Sequence, residues 1–216
     1  MIEEKRGLSH DRMPVVFVGH GSPMNLAQGN QWNRGFAQLR HHVPQPAAIL
    51  AISAHWYVNG SYLTSNQQQP TIHDFGGFPD ALYHIEYPAP GDPILAEQVR
   101  DFLGKWQVQL TEDWGLDHGI WSVLYWMYPE ADIPVVQLSI DRKLDVRQHF
   151  AIGRSLAGLR DQNILIMASG NIVHNLPNAF RQMRFGATTT PEWASRFDEA
   201  VKHALPAHDI EALLSL

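Results

Sequence analysis

The chain contains no cysteine. That excludes disulfides, thiolate metal ligands and a cysteine nucleophile, and it accords with a cytoplasmic location. No stretch approaches the roughly 18 consecutive apolar residues of a membrane span. The polar opening MIEEKRGLSHDR lacks the apolar segment of a secretory signal. There is no run of like charge, and acidic residues outnumber basic ones, 22 Asp and Glu against 16 Lys and Arg. A general nucleic-acid binder would carry a basic stripe. No nucleic acid and no membrane are expected as partners, and the chain is expected to act as a monomer or small homo-oligomer.

What is present is enough for one substantial core: 216 residues, 44% of them hydrophobic. Short Val- and Ile-rich runs read as strands: Val15–Gly19, Ala48–Ser53, Val135–Ile140 and Ile164–Ser169, with SYLTS and VQLTE weaker. They are apolar on both faces, as in parallel sheets covered on both sides. Helical spacing falls between them, over 31–42, 92–103, 119–127, 146–160 and 191–204, the last with Thr190 as N-cap and Pro191 at the first helical position. The expectation is an α/β fold: a single domain over 13–216, a central, mostly parallel sheet covered by helices on both faces, and a flexible tail over 1–12. The segment 66–90, rich in Gly, Pro, Gln and aromatics, is too long for a simple connection and reads as a functional loop. The closing HDIEALLSL begins an amphipathic helix.

Twelve histidines and seven tryptophans are many for this length. Three histidines follow strand-like runs and small residues: His20 in GHGSP, His55 in SAHW and His174 in SGNIVH. Ligands of open α/β sheets bind beyond the carboxyl ends of the strands, and several imidazoles at one such place suit Fe, Zn, Cu or Ni. No pair has a diagnostic spacing such as H-E-x-x-H. His118, in WGLDHGIW, stands at a loop-to-helix boundary. Asp117 there reads as an N-cap, and His118 as an acid, base or hydrogen-bond donor to substrate. His73-Asp74, in TIHDFGGFP, reads either as a structural turn with Asp74 bonding backbone or as part of a lid carrying Phe75 and Phe78. His10, His41, His42, His203 and His208 read as surface, and the tryptophans as mostly core.

Taken in order, GHGSPMN, SAHW, TIHDFGGFP, YPAPG, WGLDHGIW, VQLSID and SGNIVHNL resemble the class III extradiol ring-cleavage dioxygenases, in the branch called 4,5-DOPA extradiol dioxygenase. The resemblance runs from about Met13 to Leu176 and more weakly beyond. It implies an α/β fold with one mononuclear divalent metal per chain, Fe(II) for activity and Zn(II) as the ion found bound. It implies cleavage of a catechol such as L-DOPA with O2, next to rather than between the hydroxyls, giving a muconic-semialdehyde-type product. His20 and His55 match the two metal-ligating histidines. His174 matches the histidine that acts as acid/base near the metal and in some members serves as a ligand. His118 matches a histidine that lines the pocket. The proton carrier must work near neutrality, as imidazole does unperturbed; His174 is first choice and His118 second.

One departure stands out. The family's remaining metal ligand comes from a C-terminal segment, in this branch a histidine in a Thr-Pro-x-His-like motif. Here Thr190-Pro191-Glu192 is followed by Trp193, and the chain closes on EALLSL. The expectation is a chain lacking that segment, with His174 as the third ligand, and with weakened metal affinity and reduced or absent turnover. Two other readings remain open: a zinc-dependent hydrolase, which three histidines and an open position would suit, and a catalytically impaired metal-binding or interaction domain.

Overall fold

The computed structural model describes residues 12–26, 29–186 and 189–216. The proposed tail therefore lies outside the described residues except for Arg12, which is ion-paired with Asp161 and donates to the carbonyl of Ala157. The described chain forms two compact units, one reaching to Gly170 and one from Asn171 to Leu216.

The first unit is built on a six-stranded sheet. In chain order its strands are β1 (Val15–Gly19), β2 (Ala48–Val58), β3 (Tyr62–Thr64), β4 (Gln109–Thr111), β5 (Val135–Asp141) and β6 (Ile164–Gly170). Their order across the sheet is β1-β6-β2-β5-β3-β4. All pairings are parallel except β3 with β5. Between strands lie α1 (Gln31–Leu39), α2 (Pro93–Phe102), α3 (His118–Met127) and α4 (Val146–Ser155). The α/β class with a mostly parallel sheet covered on both faces is the one the apolar runs called for.

Side-chain alternation along the strands explains the two-sided covering. Ile49 and Ala51 of β2, Leu165 and Met167 of β6, and Val135 of β5 enter one core with Phe36 of α1 and Ile120, Val123, Leu124 and Met127 of α3. Their neighbours Ala48, Leu50, Val136, Ile164 and Ile166 enter a second core with Leu95, Ala96 and Val99 of α2. The helices begin where local chemistry starts them. Asn30 caps α1 and Asp145 caps α4, each in a reciprocal capping box. Asp92 caps α2 with Pro93 at its first turn.

Strand β2 departs from the expected limits. It runs to Val58, so His55 lies inside it and not beyond its end. The pairing with β5 jumps from Ile52–Leu138 to Tyr57–Ile140, so residues 53–56 stand opposite residue 139 alone. Such a bulge re-aims side chains within a strand, which a two-residue alternation in the sequence cannot reveal.

The segment 66–90 holds one short 3-10 turn, Asp80–His84, and is pinned at both ends. Buried Gln69 donates to Thr64 Oγ1 and the Val135 carbonyl. The Tyr87 hydroxyl donates to the Tyr128 carbonyl. Leu116, in the stretch before α3, accepts at its carbonyl from the Ile72 N–H and donates its own N–H to the Pro70 carbonyl.

The second unit is helical: α5 (Leu176–Arg184), α6 (Glu192–Ala207) and α7 (Ile210–Leu214). Helix α5 was not anticipated from the sequence. Pro191 takes the N-cap place of α6 without a side-chain bond, one residue later than expected, and its carbonyl accepts from Ala194 and Ser195. Asp209 caps α7.

Candidate metal centre

Three elements deliver histidines to one point. His20 follows β1 directly, His55 sits in the β2 bulge, and His118 is the first residue of α3. One nitrogen of each ring can be chosen so that all three lie within 4.8 Å of one another. His20 and His118 are buried, and His55 is half-buried.

The strand rows explain the convergence. Val18 and Ser53 are both register partners of Ser169, so β1, β6 and β2 turn polar at the same level. Gly21 has a left-handed φ of 72°, which lets the chain turn sharply after His20. Asn25 Nδ2 donates to the His20 carbonyl and fixes that turn. Helix α3 comes in against β2 at Gly119, where a Cβ would fall 2.8 Å from Ser53 Oγ and 2.9 Å from His55 Cδ2. Only glycine allows this approach, and it places His118 beside His55, with ring centroids 4.1 Å apart.

Hydrogen bonds then decide which ring nitrogen faces the others. Ser169 Oγ donates to the Gly119 carbonyl, so it accepts from His20 Nδ1 at 2.8 Å. Asp74 Oδ2 accepts from His55 Nδ1 at 3.1 Å, and Asp74 Oδ1 from His118 Nδ1 at 2.9 Å. A neutral imidazole carries one N–H. With Nδ1 donating in each ring, all three Nε2 atoms carry the lone pair. His20 Nε2 and His55 Nε2 face each other at 3.0 Å. A proton on one of them makes this contact a hydrogen bond; with both rings neutral, the two lone pairs face one another, and this donor set fits a divalent metal.

Two carboxylates meet at the start of α3, and their environments push them apart. Burial alone would raise Asp74, but the bonds from His118 and His55 and from the His118 backbone N–H outweigh it and hold the carboxyl far below the usual range. Burial raises Asp117, which bonds to Ser53 and Gln137 only partly offset. Asp117 caps α3 through the Gly119 N–H. It also accepts from Ser53 Oγ at 2.6 Å and from Gln137 Nε2. Burial works to lower His55, yet its bond and charge interaction with Asp74, with a further pull from Asp117, raise it above the ordinary imidazole value.

Phe75, next to Asp74, stands edge-on to His118 with centroids 5.4 Å apart, and Phe78 and Tyr83 pack on it. Phe75 and Phe78 also lean on the first core, so the aromatics of this segment serve packing and site together.

Of the residues singled out in the sequence, His20, His55 and His118 are brought together. His174 is exposed at the head of the second unit. His41, His42, His203 and His208 are exposed as expected, and His10 lies outside the described residues. For Asp117, cap and site neighbour are one role. For Asp74, the turn reading misses two ring bonds, although an acid next to a histidine in a Gly- and Phe-rich segment was the available signal. Ser169 and Gln137 looked like ordinary strand residues and were missed.

A family model described as the catalytic LigB subunit of aromatic ring-opening dioxygenase matches residues 9–216. The chain is 49% identical over 197 residues to a 4,5-DOPA dioxygenase extradiol of Escherichia coli (strain K12), covering 90% of this chain and 71% of that protein. It is 39% identical to a 4,5-DOPA dioxygenase extradiol of Beta vulgaris, covering 88% and 72%. A solved crystal structure of an Escherichia coli K12 protein superposes with a TM-score of 0.74 at 43% identity, over 90% of this chain and 73% of the other.

Proposed function

The chain belongs to the family of the catalytic LigB subunit of aromatic ring-opening dioxygenases, and from that premise we propose that it cleaves a catechol such as L-DOPA with O2 beside the hydroxyl pair, giving a muconic-semialdehyde-type product. The observation that carries the reading is the convergence of three imidazoles, one nitrogen of each within 4.8 Å of the others, each ring held by a bond at Nδ1.

His20, His55 and His118 would hold a single divalent metal. Such a metal supplies Lewis acidity toward the catechol oxygens and, as Fe(II), a path for electrons between catechol and O2. The protein's own part is to aim the three rings, each through its bond at Nδ1. Phe75 and its aromatic neighbours offer a flat apolar wall beside His118 for a ring to lie against. A catechol must lose protons as it binds and regain one later. His174 is the proposed carrier, by its place in the SGNIVH motif. His118, the second choice by its motif, is assigned to the metal instead, since a single Nε2 lone pair cannot both ligate and carry the proton. No helix among the described residues is long and apolar enough to cross a membrane, and the lack of cysteine accords with the proposed cytoplasmic location. The family assignment favours dioxygenase chemistry over the zinc-hydrolase and interaction-domain readings.

The test is anaerobic loading with Fe(II), then addition of L-DOPA and air, following oxygen uptake and the yellow semialdehyde absorbance. The expected result is uptake with product, lost in His20→Ala and in His55→Ala. Stoichiometric metal without oxygen uptake across a panel of catechols would overturn the reading and revive the hydrolase.

A further inference from the structure

We propose that Asp74 is a positioning residue that fixes the tautomer of His55 and His118 together, making the segment 66–90 a working part of the metal site. The inference rests on the metal-site reading above and deepens it.

Asp74 uses both oxygens. Oδ1 accepts from the His118 backbone N–H at 2.8 Å and from His118 Nδ1 at 2.9 Å. Oδ2 accepts from His55 Nδ1 at 3.1 Å. An ionised carboxylate only accepts, so each ring must present its N–H at Nδ1 and leave Nε2 as the donor atom to a metal. The arrangement is shielded, with Asp74 at 17% and the His118 side chain at 6% exposure, so water does not readily replace the carboxylate. His20 is set independently, through Ser169.

Asparagine at position 74 would have the same shape and opposite logic. Its single oxygen must stay on the His118 backbone N–H, which cannot change from donor to acceptor. Its NH2 group then faces His55 Nδ1. That nitrogen must accept, the ring hydrogen moves to Nε2, and His55 can no longer ligate. His20 should keep its hydrogen on Nδ1, held by Ser169, while its Nε2 accepts from His55, and the retained tautomer supplies an internal control. Partners of this kind typically change metal affinity 10–100-fold.

The experiment uses the 15N-labelled full chain, metal-free at pH 8, in the wild-type and Asp74→Asn forms. Long-range 1H–15N spectra report the protonated nitrogen of each ring, and chelator competition reports Zn(II) affinity. The proposal expects Nδ1–H on His55 and His118 in the wild type. In Asp74→Asn it expects Nε2–H on His55, the same Nδ1–H tautomer on His20 and a roughly 10–100-fold loss of Zn(II) affinity. An Nε2–H His55 in the wild type, or wild-type affinity in Asp74→Asn, would overturn it. If the variant does not fold, the wild-type spectrum alone decides by the same criterion. A wild type with the expected tautomers that binds no Zn(II) would sink the metal-site reading and leave the role of Asp74 in orienting the rings standing.

Discussion

The central strands have two unlike ends. Toward its start, β2 carries Ala48, Ile49, Leu50 and Ala51, all buried and shared between the two cores; β6 does the same with Ile164 to Met167. Toward its end, β2 carries Ser53 and His55, β6 carries Ser169, and β1 runs into His20. Parallel register puts these polar ends side by side. They tolerate burial because each finds a partner: His20 with Ser169, Ser169 with the Gly119 carbonyl, and Ser53 with Asp117. An unmet buried polar group would cost about 1–3 kcal/mol. Stability and chemistry are thus divided along single strands, not between separate parts of the fold.

That division can be broken from either end. Leu50 is fully buried in the second core. Leu50→Ala is expected to lower unfolding free energy by about 2–5 kcal/mol in urea titrations while the folded variant keeps its Zn(II) affinity; a parallel loss of affinity would show the two ends to be one unit. At the polar end, Gly119→Ala sets a methyl against Ser53 and His55. It should cost about 1–3 kcal/mol of stability and about tenfold in Zn(II) affinity, so a variant that binds as the parent would show that the α3–β2 approach does not aim the histidines.

The smallest effect concerns pH. Because His55 is raised in the metal-free protein, its bond to Asp74 contributes stability that is complete below the unfolded imidazole value of about 6.5 and is lost as pH rises through the raised value. Metal binding needs the neutral ring, so it runs the opposite way, with Zn(II) affinity falling as pH drops through the raised value. Thermal melts with and without Zn(II) between about pH 5 and 8 should therefore diverge as pH rises; parallel curves would mean that His55 is not a ligand.

Much was legible beforehand. Apolar runs marked the strands because a strand covered on both faces must be apolar at consecutive positions. Asp117 marked a helix start by its hydrogen-bonding chemistry. His20 and His55 stood out by following such runs. Asp74 was ambiguous, because a turn-forming acid and a ring-orienting acid look alike until the rings arrive.

The sequence by itself determined the α/β class, the strands, most helix starts and the family, since all depend on local periodicity, local caps or motifs in order along the chain. Only the tertiary structure decided that β2 continues through a bulge to carry His55, that Gly119 admits α3 against it, and that Asp74 reaches both His55 and His118. Those outcomes depend on groups far apart in the chain, such as Asp74 and His118, meeting at hydrogen-bond distance, which no spacing along one strand or helix can specify.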